Sequence, residues 1–278
     1  LARTLPDLSA IEPAPHTGEV VLLDREGRTI ARRGQSTSAV IPADALPQNL
    51  ADAVIAVEDR RFYSHFGIDL IGTARAMMSN IRAGRVVQGG STITQQLAKN
   101  LFLSPERTYR RKAQEVLLAL WLENRFTKDE ILALYLNRVY FGAGAWGAEA
   151  ASRRYFSKPA EELSIGEAAL LAGLLKAPSR YAPTNDARRA SVRATVVLDL
   201  MYATGRISQD ERIAAASTPI RVSRGSSSPG AGWFADWVMT QVREMAPGHQ
   251  GDLIVRTTLD VDAQRAAESA LSLGLETP

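Results

Sequence analysis

Residues 116–122 form a run of seven apolar side chains, and this run constrains the fold more than any other stretch. It follows Glu115 directly and reads VLLALWL, so a helix built from it has no polar face over roughly two turns. A helix that is apolar all round is expected in a protein interior. We therefore predict a buried central helix here, inside a block of helical patterns that runs from about residue 44 to 217.

Strand patterns occur only near the two ends of the chain. Residues 20–23 and 29–31 read as a hairpin around Arg25-Glu26-Gly27, and residues 253–259 form another strand. An isolated hairpin is marginal in water, so we predict that the late strand joins it in one small sheet. The predicted fold is mainly α, with a small β element formed by the two chain ends.

A stretch rich in Gly, Ser and Pro, residues 221–232, has the composition of a linker. It suggests three parts for the 278-residue chain, which are an N-terminal segment with the hairpin at 1–43, a helical domain at 44–220, and a linker region at 221–278.

Composition excludes some classes of site. The chain has no cysteine and three histidines, which rules out disulfides and argues strongly against a zinc site built on His and Cys. Its 33 basic and 30 acidic residues are compatible with an anionic ligand and diagnostic of none. No apolar run approaches the roughly 18 residues of a membrane span. The chain begins with Leu1 rather than Met, so we expect it to be a piece whose anchor lies outside it.

Glu58 is the first candidate catalytic residue. It stands in AVEDRRFYSHFG, between Val54 and Phe62 on the apolar side of a helical wheel. Burial there would raise its pKa toward values that suit proton transfer. The alternative is a carboxylate at a helix end, paired with Arg60 or Arg61.

The stretch GGSTITQQLAKN, residues 89–100, predicts a helix capped by Ser91 or Thr92. Thr92, Gln96 and Lys99 share one face of that helix, and Gln95 and Asn100 lie at its margins. A helix N-terminus with hydroxyls and a nearby lysine could hold a diphosphate. An ordinary capped amphipathic helix explains the same pattern.

The stretch ERTYRRKAQE, residues 106–115, places Arg111 and Lys112 within a turn of Glu115. Routine pairing along a helix explains this spacing. However, Glu115 opens the apolar run, and the cations around it would suit an anionic substrate.

Residues 68–88 carry exposed-looking apolar residues interleaved with Arg75, Arg82 and Arg85. The pattern fits either a membrane-surface element or an ordinary amphipathic helix.

Taken in order, these stretches resemble the peptidoglycan glycosyltransferase domain (family 51) of class A bifunctional penicillin-binding proteins. The resemblance covers residues 45–205 and five motifs. The matching residues are Glu58, Asp59, Phe62, His65 and Gly67; Gly89, Ser91, Gln95 and Gln96; Arg111, Lys112 and Glu115; Lys128 through Asn137; and Tyr155, Phe156 and Lys158. Ser152 stands where the family often has alanine, a small departure.

The resemblance implies a lysozyme-like, two-lobed helical domain that polymerises lipid II. Glu58 would be the general base for the GlcNAc 4-hydroxyl, which attacks the MurNAc anomeric carbon with inversion while undecaprenyl diphosphate leaves. Glu115 would be a second catalytic carboxylate, whose role as an orienting group or an acid stays open. The substrate-binding residues would be Asp59, His65, Arg75, Ser91, Thr92, Gln95, Gln96, Lys99, Asn100, Arg107, Arg111 and Lys112.

The resemblance also implies partners and a location. These are lipid II, the growing glycan strand, a membrane surface and other cell-wall synthesis proteins, at the periplasmic face of the bacterial inner membrane. No cofactor or metal site is required by the sequence, although a divalent cation, Mg²⁺ or Mn²⁺, is compatible with it. The absence of Ser-x-x-Lys and Lys-Thr-Gly implies that a transpeptidase half lies outside this chain.

Two rival functions fit parts of the sequence. A lytic enzyme of lysozyme type would cut glycan strands. Its substrate has no diphosphate that the cations of residues 89–100 and 106–115 could bind. A non-catalytic basic module would bind nucleic acid or anionic lipid. The mild charge and the lack of aromatic-basic interleaving argue against nucleic acid.

Overall fold

The structure is a computed structural model that describes residues 20–33, 40–85, 89–102, 108–143, 145–184, 186–223, 231–246, 249 and 251–275. These residues fall into two compact units. One lies within Ala39–Val222, and the other combines parts of Pro15–Ser38 and Ser223–Pro278.

Helices dominate both units, as predicted. The helices are α1 Gln48–Glu58, α2 Leu70–Ala83, α3 Ile93–Phe102, α4 Tyr109–Arg125, α5 Lys128–Arg138, α6 Ala148–Phe156, α7 Ile165–Leu174, α8 Pro178–Tyr181, α9 Ala187–Ala203, α10 Gln209–Ser217, α11 Ala231–Met245 and α12 Val261–Leu275. The strands are β1 Val20–Leu23, β2 Thr29–Arg33, β3 Tyr140–Gly142, β4 Ala145–Trp146 and β5 Leu253–Arg256.

The buried centre of the first unit is α7, not α4. Every α7 residue from Ala168 to Leu174 is buried, and this helix packs against α9 and α1. Its sequence, IGEAALLAGL, supplies small residues that let the neighbouring helices approach closely. The interior of the unit therefore forms around a helix of alanines and leucines.

The prediction of a buried helix at 116–122 is wrong in part. The run is helical, within α4, but Ala119 and Leu122 are its only fully buried members and Leu117 is 52% exposed. Each residue turns the helix by 100°, so seven apolar side chains point in all directions, whereas α4 packs mainly against α3 on one side. The remaining side chains of the run are at most partly covered.

The predicted end-to-end sheet is present in the second unit. β1 pairs with β2 antiparallel, and it pairs with β5 in parallel from Val20 opposite Leu253, giving the order β2-β1-β5. The parallel pairing continues beyond the strands, because Thr257 N donates to Leu23 O at 2.8 Å. Leu22 and Ile30 of the sheet are fully buried in a core shared with α11.

Local helix signals are accurate guides to the helix starts. Capping boxes of Thr127 with Glu130 and of Ser164 with Glu167 form at the first turns of α5 and α7. Each uses the hydroxyl to accept a backbone N–H and the glutamate to accept another. Because these contacts span three residues, no tertiary information is needed to foresee them.

Candidate active site

Glu58 is the last residue of α1 and lies in a cleft of about 560 Å³. Its carboxylate accepts a hydrogen bond from Gln96 Nε2 on α3, at 2.9 Å. Tyr135 of α5 donates its hydroxyl to Gln96 Oε1 at 3.3 Å, which fixes the amide with its NH₂ toward Glu58. Three helices therefore hold this one carboxylate in place.

The pKa of Glu58 is raised above its ordinary value. Burial is the largest cause, and the negative charge of Asp59 acts in the same direction. The Gln96 hydrogen bond and the charges of Arg193 and Lys99 lower the pKa without cancelling the effect of burial. A desolvated carboxylate of this kind is a stronger proton acceptor than a solvated one.

Asp59 and His65 hold in place the segment that follows Glu58. His65 Nε2 lies 3.0 and 2.9 Å from the two Asp59 oxygens, and both side chains are almost fully buried. Ile93 N, at the start of α3, also donates to Asp59, at 3.1 Å. Within the described residues His65 Nδ1 has no partner, which fits the tautomer that carries its proton on Nε2. The pair thus ties the Glu58 segment to α3.

The start of α3 uses its polar residues in two ways. Thr92 Oγ1 accepts from Gln95 N, and Gln95 Oε1 accepts from Thr92 N, so these two side chains cap the helix. Gln95 is buried by this role and lies outside the cleft lining. Thr92, Gln96 and Lys99 do line the cleft, as the helical wheel predicts.

A glycine lets the first motif pack against α3 and α4. Thr92 Oγ1 donates to Gly67 O at 2.7 Å. Gly67 has φ +75°, and a Cβ there would lie 3.1 Å from both Ala119 O and Glu123 Cγ of α4. Both conditions favour glycine at this position.

Glu115 of α4 holds the cations next to it. Lys112 Nζ lies 2.8 Å from Glu115 Oε2 and also donates to Ser91 Oγ at 2.8 Å. Arg111 Nε lies 3.2 Å from Glu115 Oε1. We call Arg111, Lys112 and Glu115 the α4 cation group. Ser91 lines the cleft, so the group reaches the cleft through its contact with Ser91. The predicted site residue Arg107 lies outside the described residues, and Asn100 is exposed and outside the cleft lining.

The fourth motif builds the scaffold of the cleft. Lys128 Nζ lies 2.7 Å from Glu123 Oε1, which also accepts from Thr94 Oγ1 at 2.6 Å. The same ammonium lies 4.5 Å from the centre of the Phe62 ring. This partly buried network joins α3, α4 and α5 to the segment after Glu58.

Several cleft residues were missed by the sequence analysis. The structure adds Arg60, Asp69, Lys176 and Arg193 to the lining. Arg193 Nε donates to Gly173 O at 3.4 Å, so α7 orients its side chain. One signal for Arg193 exists in the sequence, because this cation interrupts the inward-facing stripe of Ala190, Ala194 and Val197 on α9.

Comparisons with known proteins identify the family of the chain. A family model described as transglycosylase matches residues 26–202. The chain belongs to the transglycosylase family. It is 42% identical over 280 residues to penicillin-binding protein 1A of Aquifex aeolicus, covering 99% of this chain and 38% of that protein. It is 37% identical to penicillin-binding protein 1A of Escherichia coli, covering 96% of this chain and 32% of that protein.

A solved structure shows the same fold. The crystal structure of penicillin-binding protein 1A from Haemophilus influenzae matches with a TM-score of 0.53 and 22% identity, covering 92% of this chain and 29% of that one. The predicted mainly α, lysozyme-like fold and the predicted membership of the peptidoglycan glycosyltransferases of class A penicillin-binding proteins are confirmed. The chain spans less than two fifths of the length of these relatives.

Proposed function

We propose that this transglycosylase domain polymerises lipid II into glycan strands. The observation that carries the proposal is the setting of Glu58, a desolvated carboxylate that accepts from the Gln96 amide in a cleft lined by cations. A general base for a sugar hydroxyl needs a raised pKa, and a diphosphate leaving group needs positive charge. Both requirements meet in one cleft.

Glu58 takes the proton from the GlcNAc 4-hydroxyl of lipid II as that oxygen attacks the anomeric carbon of the MurNAc that ends the growing chain. The attack inverts the anomeric carbon and expels undecaprenyl diphosphate. The arrangement parallels an inverting glycosidase, with a sugar hydroxyl in place of water. Gln96 keeps the carboxylate oriented, because its amide is itself held by Tyr135.

The leaving diphosphate carries its own negative charge and needs neutralisation more than protonation. We assign this work to Lys99, which lines the cleft, and to the α4 cation group, which reaches the cleft at Ser91. Arg107 belongs to the same proposal through the family resemblance. Glu115 acts here as a positioning residue, since it contacts both Arg111 and Lys112.

The surface of α2 suits contact with a membrane. Leu70, Ile71, Met77, Met78 and Ile81 are all more than half exposed, and Arg82 stands among them. Such a face can lie against lipid headgroups and acyl chains. In the part of the chain that the structure describes, no helix is long and apolar enough to cross a membrane. We place this domain at the periplasmic face of the cytoplasmic membrane, where the lipid tail of the substrate stays in the bilayer.

A divalent cation remains a proposal. Among the described residues no group of three or more His, Cys, Asp or Glu side chains could hold a metal ion. The diphosphate itself offers oxygen ligands to Mg²⁺ or Mn²⁺. We propose that any such ion would arrive with the substrate, and assays with and without a chelator test this.

The deciding experiment incubates the purified protein with lipid II and resolves the products by length. We expect a series of lengthening glycans with release of undecaprenyl diphosphate. Shortening of preformed glycan with no extension of lipid II would indicate a lytic enzyme instead. Binding of oligonucleotide with neither reaction would indicate the non-catalytic basic module.

A further inference from the structure

Two arginines lie together on the α2 side of the cleft, apart from the α4 cation group. Arg60 follows Glu58 by two residues, and Arg75 stands on α2. Arg75, Gly72 and Ser79 are spaced by three and four residues, and all three line the cleft. One face of α2 therefore forms a cleft wall, with Arg75 at its centre.

The two arginines form no ion pair with any carboxylate in the described part of the chain. The three carboxylates of the cleft lining have other contacts, since Glu58 accepts from Gln96, Asp59 contacts His65, and Asp69 lies 3.8 Å from Arg61 Nε. Asp69 also lies near Arg75, next to Gly72. A Cβ at Gly72 would lie 2.2 Å from Asp69 Oδ2 and 3.4 Å from Arg75 Nη2.

The positive charges of Arg60 and Arg75 repel each other. Burial and the neighbouring charge of Arg75 lower the pKa of Arg60. Two guanidinium groups that repel each other in a cleft are stabilised by an anion that both can bind, and phosphate oxygens match the forked geometry of arginine. Arg111 and Lys112 differ in this respect, because Glu115 already lies between them.

The cleft wall that carries Arg75 is fixed in place. Thr73 Oγ1 donates to Gly90 O at 3.0 Å, which ties α2 to the glycine stretch before α3. Gly89 and Gly90 also line the cleft. The exposed apolar residues of α2 continue from the same helix, so an anion bound at Arg75 would have an apolar surface beside it for a hydrocarbon tail.

We propose that Arg60 and Arg75 form a second phosphate-binding subsite, which binds the diphosphate of the lipid-linked sugar that supplies the attacking hydroxyl. This inference rests on the proposed function, because that reaction brings two lipid diphosphates to one cleft. The α4 cation group and Lys99 neutralise the leaving diphosphate. The subsite of Arg60 and Arg75 then binds the diphosphate that stays attached to the acceptor.

The test separates the two substrates. Glycan chains already linked to undecaprenyl diphosphate serve as donor, lipid II serves as acceptor, and each is varied while the other is saturating. We expect Arg60→Ala and Arg75→Ala each to raise the KM for lipid II about tenfold, with the KM for the donor unchanged. Arg188→Ala, which removes an exposed arginine outside the cleft lining, is the matched control and should change neither KM.

Direct binding gives a second readout. We expect no consumption of lipid II in the Glu58→Gln background, so its affinity can be measured there with and without Arg60→Ala and Arg75→Ala. The affinity should fall about as much as the KM rises. Arg75→Lys keeps the charge but loses the forked geometry, so it should recover only part of the affinity. Circular dichroism tests whether each variant is folded. If an alanine variant is not folded, the lysine variant at the same position takes its place.

A membrane phospholipid is the other source of the same phosphate chemistry. Binding to vesicles of equal parts phosphatidylcholine and phosphatidylglycerol should be the same in Arg60→Ala, Arg75→Ala and Arg188→Ala. If vesicle binding fell in the first two while the KM for lipid II in detergent did not change, the subsite would belong to phospholipid and the proposal would be wrong. If the wild type polymerises and the KM for lipid II is unchanged in Arg60→Ala and Arg75→Ala, this inference alone is overturned. A wild type that does not polymerise would overturn the proposed function.

Discussion

The two glutamates of the site, Glu58 and Glu115, have opposite surroundings. Glu58 accepts one hydrogen bond from a neutral amide, and burial raises its pKa. Glu115 is also buried, but Lys112 lies 2.8 Å and Arg111 lies 3.2 Å from its oxygens. Burial alone therefore does not decide what a carboxylate can do. The difference lies in the partners that surround it.

This contrast separates a reactive carboxylate from a positioning one. A desolvated carboxylate that forms no ion pair takes up a proton more readily, which is what a general base does during the attack. A carboxylate that contacts two cations fixes where those cations point.

Glu58→Gln should remove polymerisation almost completely. The change keeps the shape and the contact with Gln96 but removes the proton acceptor, and general base catalysis contributes roughly 10²–10⁴ in rate. Initial rates of lipid II consumption measure the loss, with circular dichroism as the check on folding. A folded variant that retained more than about a tenth of the wild-type rate would show that Glu58 is not the base.

Glu115→Gln should cost less, about tenfold to a hundredfold in kcat/KM, because it weakens charge-assisted contacts worth roughly 1.5–3 kcal/mol. A cycle with the double change Arg111→Ala and Lys112→Ala decides how Glu115 acts, because Glu115 contacts both cations. If it acts through them, adding Glu115→Gln to the double change should cost little more. Losses that multiply would mean that Glu115 contacts the leaving group independently.

Much of the site could be foreseen from local sequence. The face of α3 that carries Thr92, Gln96 and Lys99 follows from helical periodicity, and all three residues line the cleft. The capping pair of Thr92 and Gln95 spans three residues and is equally local. Patterns within one helix encode such features completely.

Features that depend on contacts between distant segments could not be predicted from local sequence. The exposure of Leu117 depends on which neighbours α4 has, and the apolar run does not contain that information. The entry of Arg193 into the cleft depends on the approach of α9 to α7 at Gly173, where an added Cβ would lie 3.0 Å from Arg193 Cγ. The proximity of Arg60 and Arg75 likewise requires the turn between α1 and α2.

Gln96→Met tests the contact that distinguishes Glu58 from Glu115. The amide hydrogen bond stabilises charged Glu58 and lowers its pKa, so its loss should raise that pKa further. The acidic limb of the pH profile of kcat should move to higher pH. Tyr135→Phe, which releases the amide without removing it, should move the limb less in the same direction. An unmoved limb in Gln96→Met would show that Glu58 does not control it.

The smallest effect concerns stability, and it also follows from the raised pKa of Glu58. A carboxyl whose pKa is higher in the folded state than in the unfolded state binds more protons when folded, so stability falls as pH rises from the ordinary value of 4.5 through the raised pKa. Glu58→Gln removes this cost. Its Tm should exceed that of the wild type at neutral pH, by about 2–4 °C for each 1 kcal/mol released, and the gain should shrink as pH falls from the raised pKa toward the ordinary value of 4.5. The exposed Glu161→Gln is the matched control and should leave Tm unchanged across the same range. A Glu58→Gln variant less stable than the wild type at neutral pH would mean that ionised Glu58 is stabilised by its partners, and its surroundings would then resemble those of Glu115.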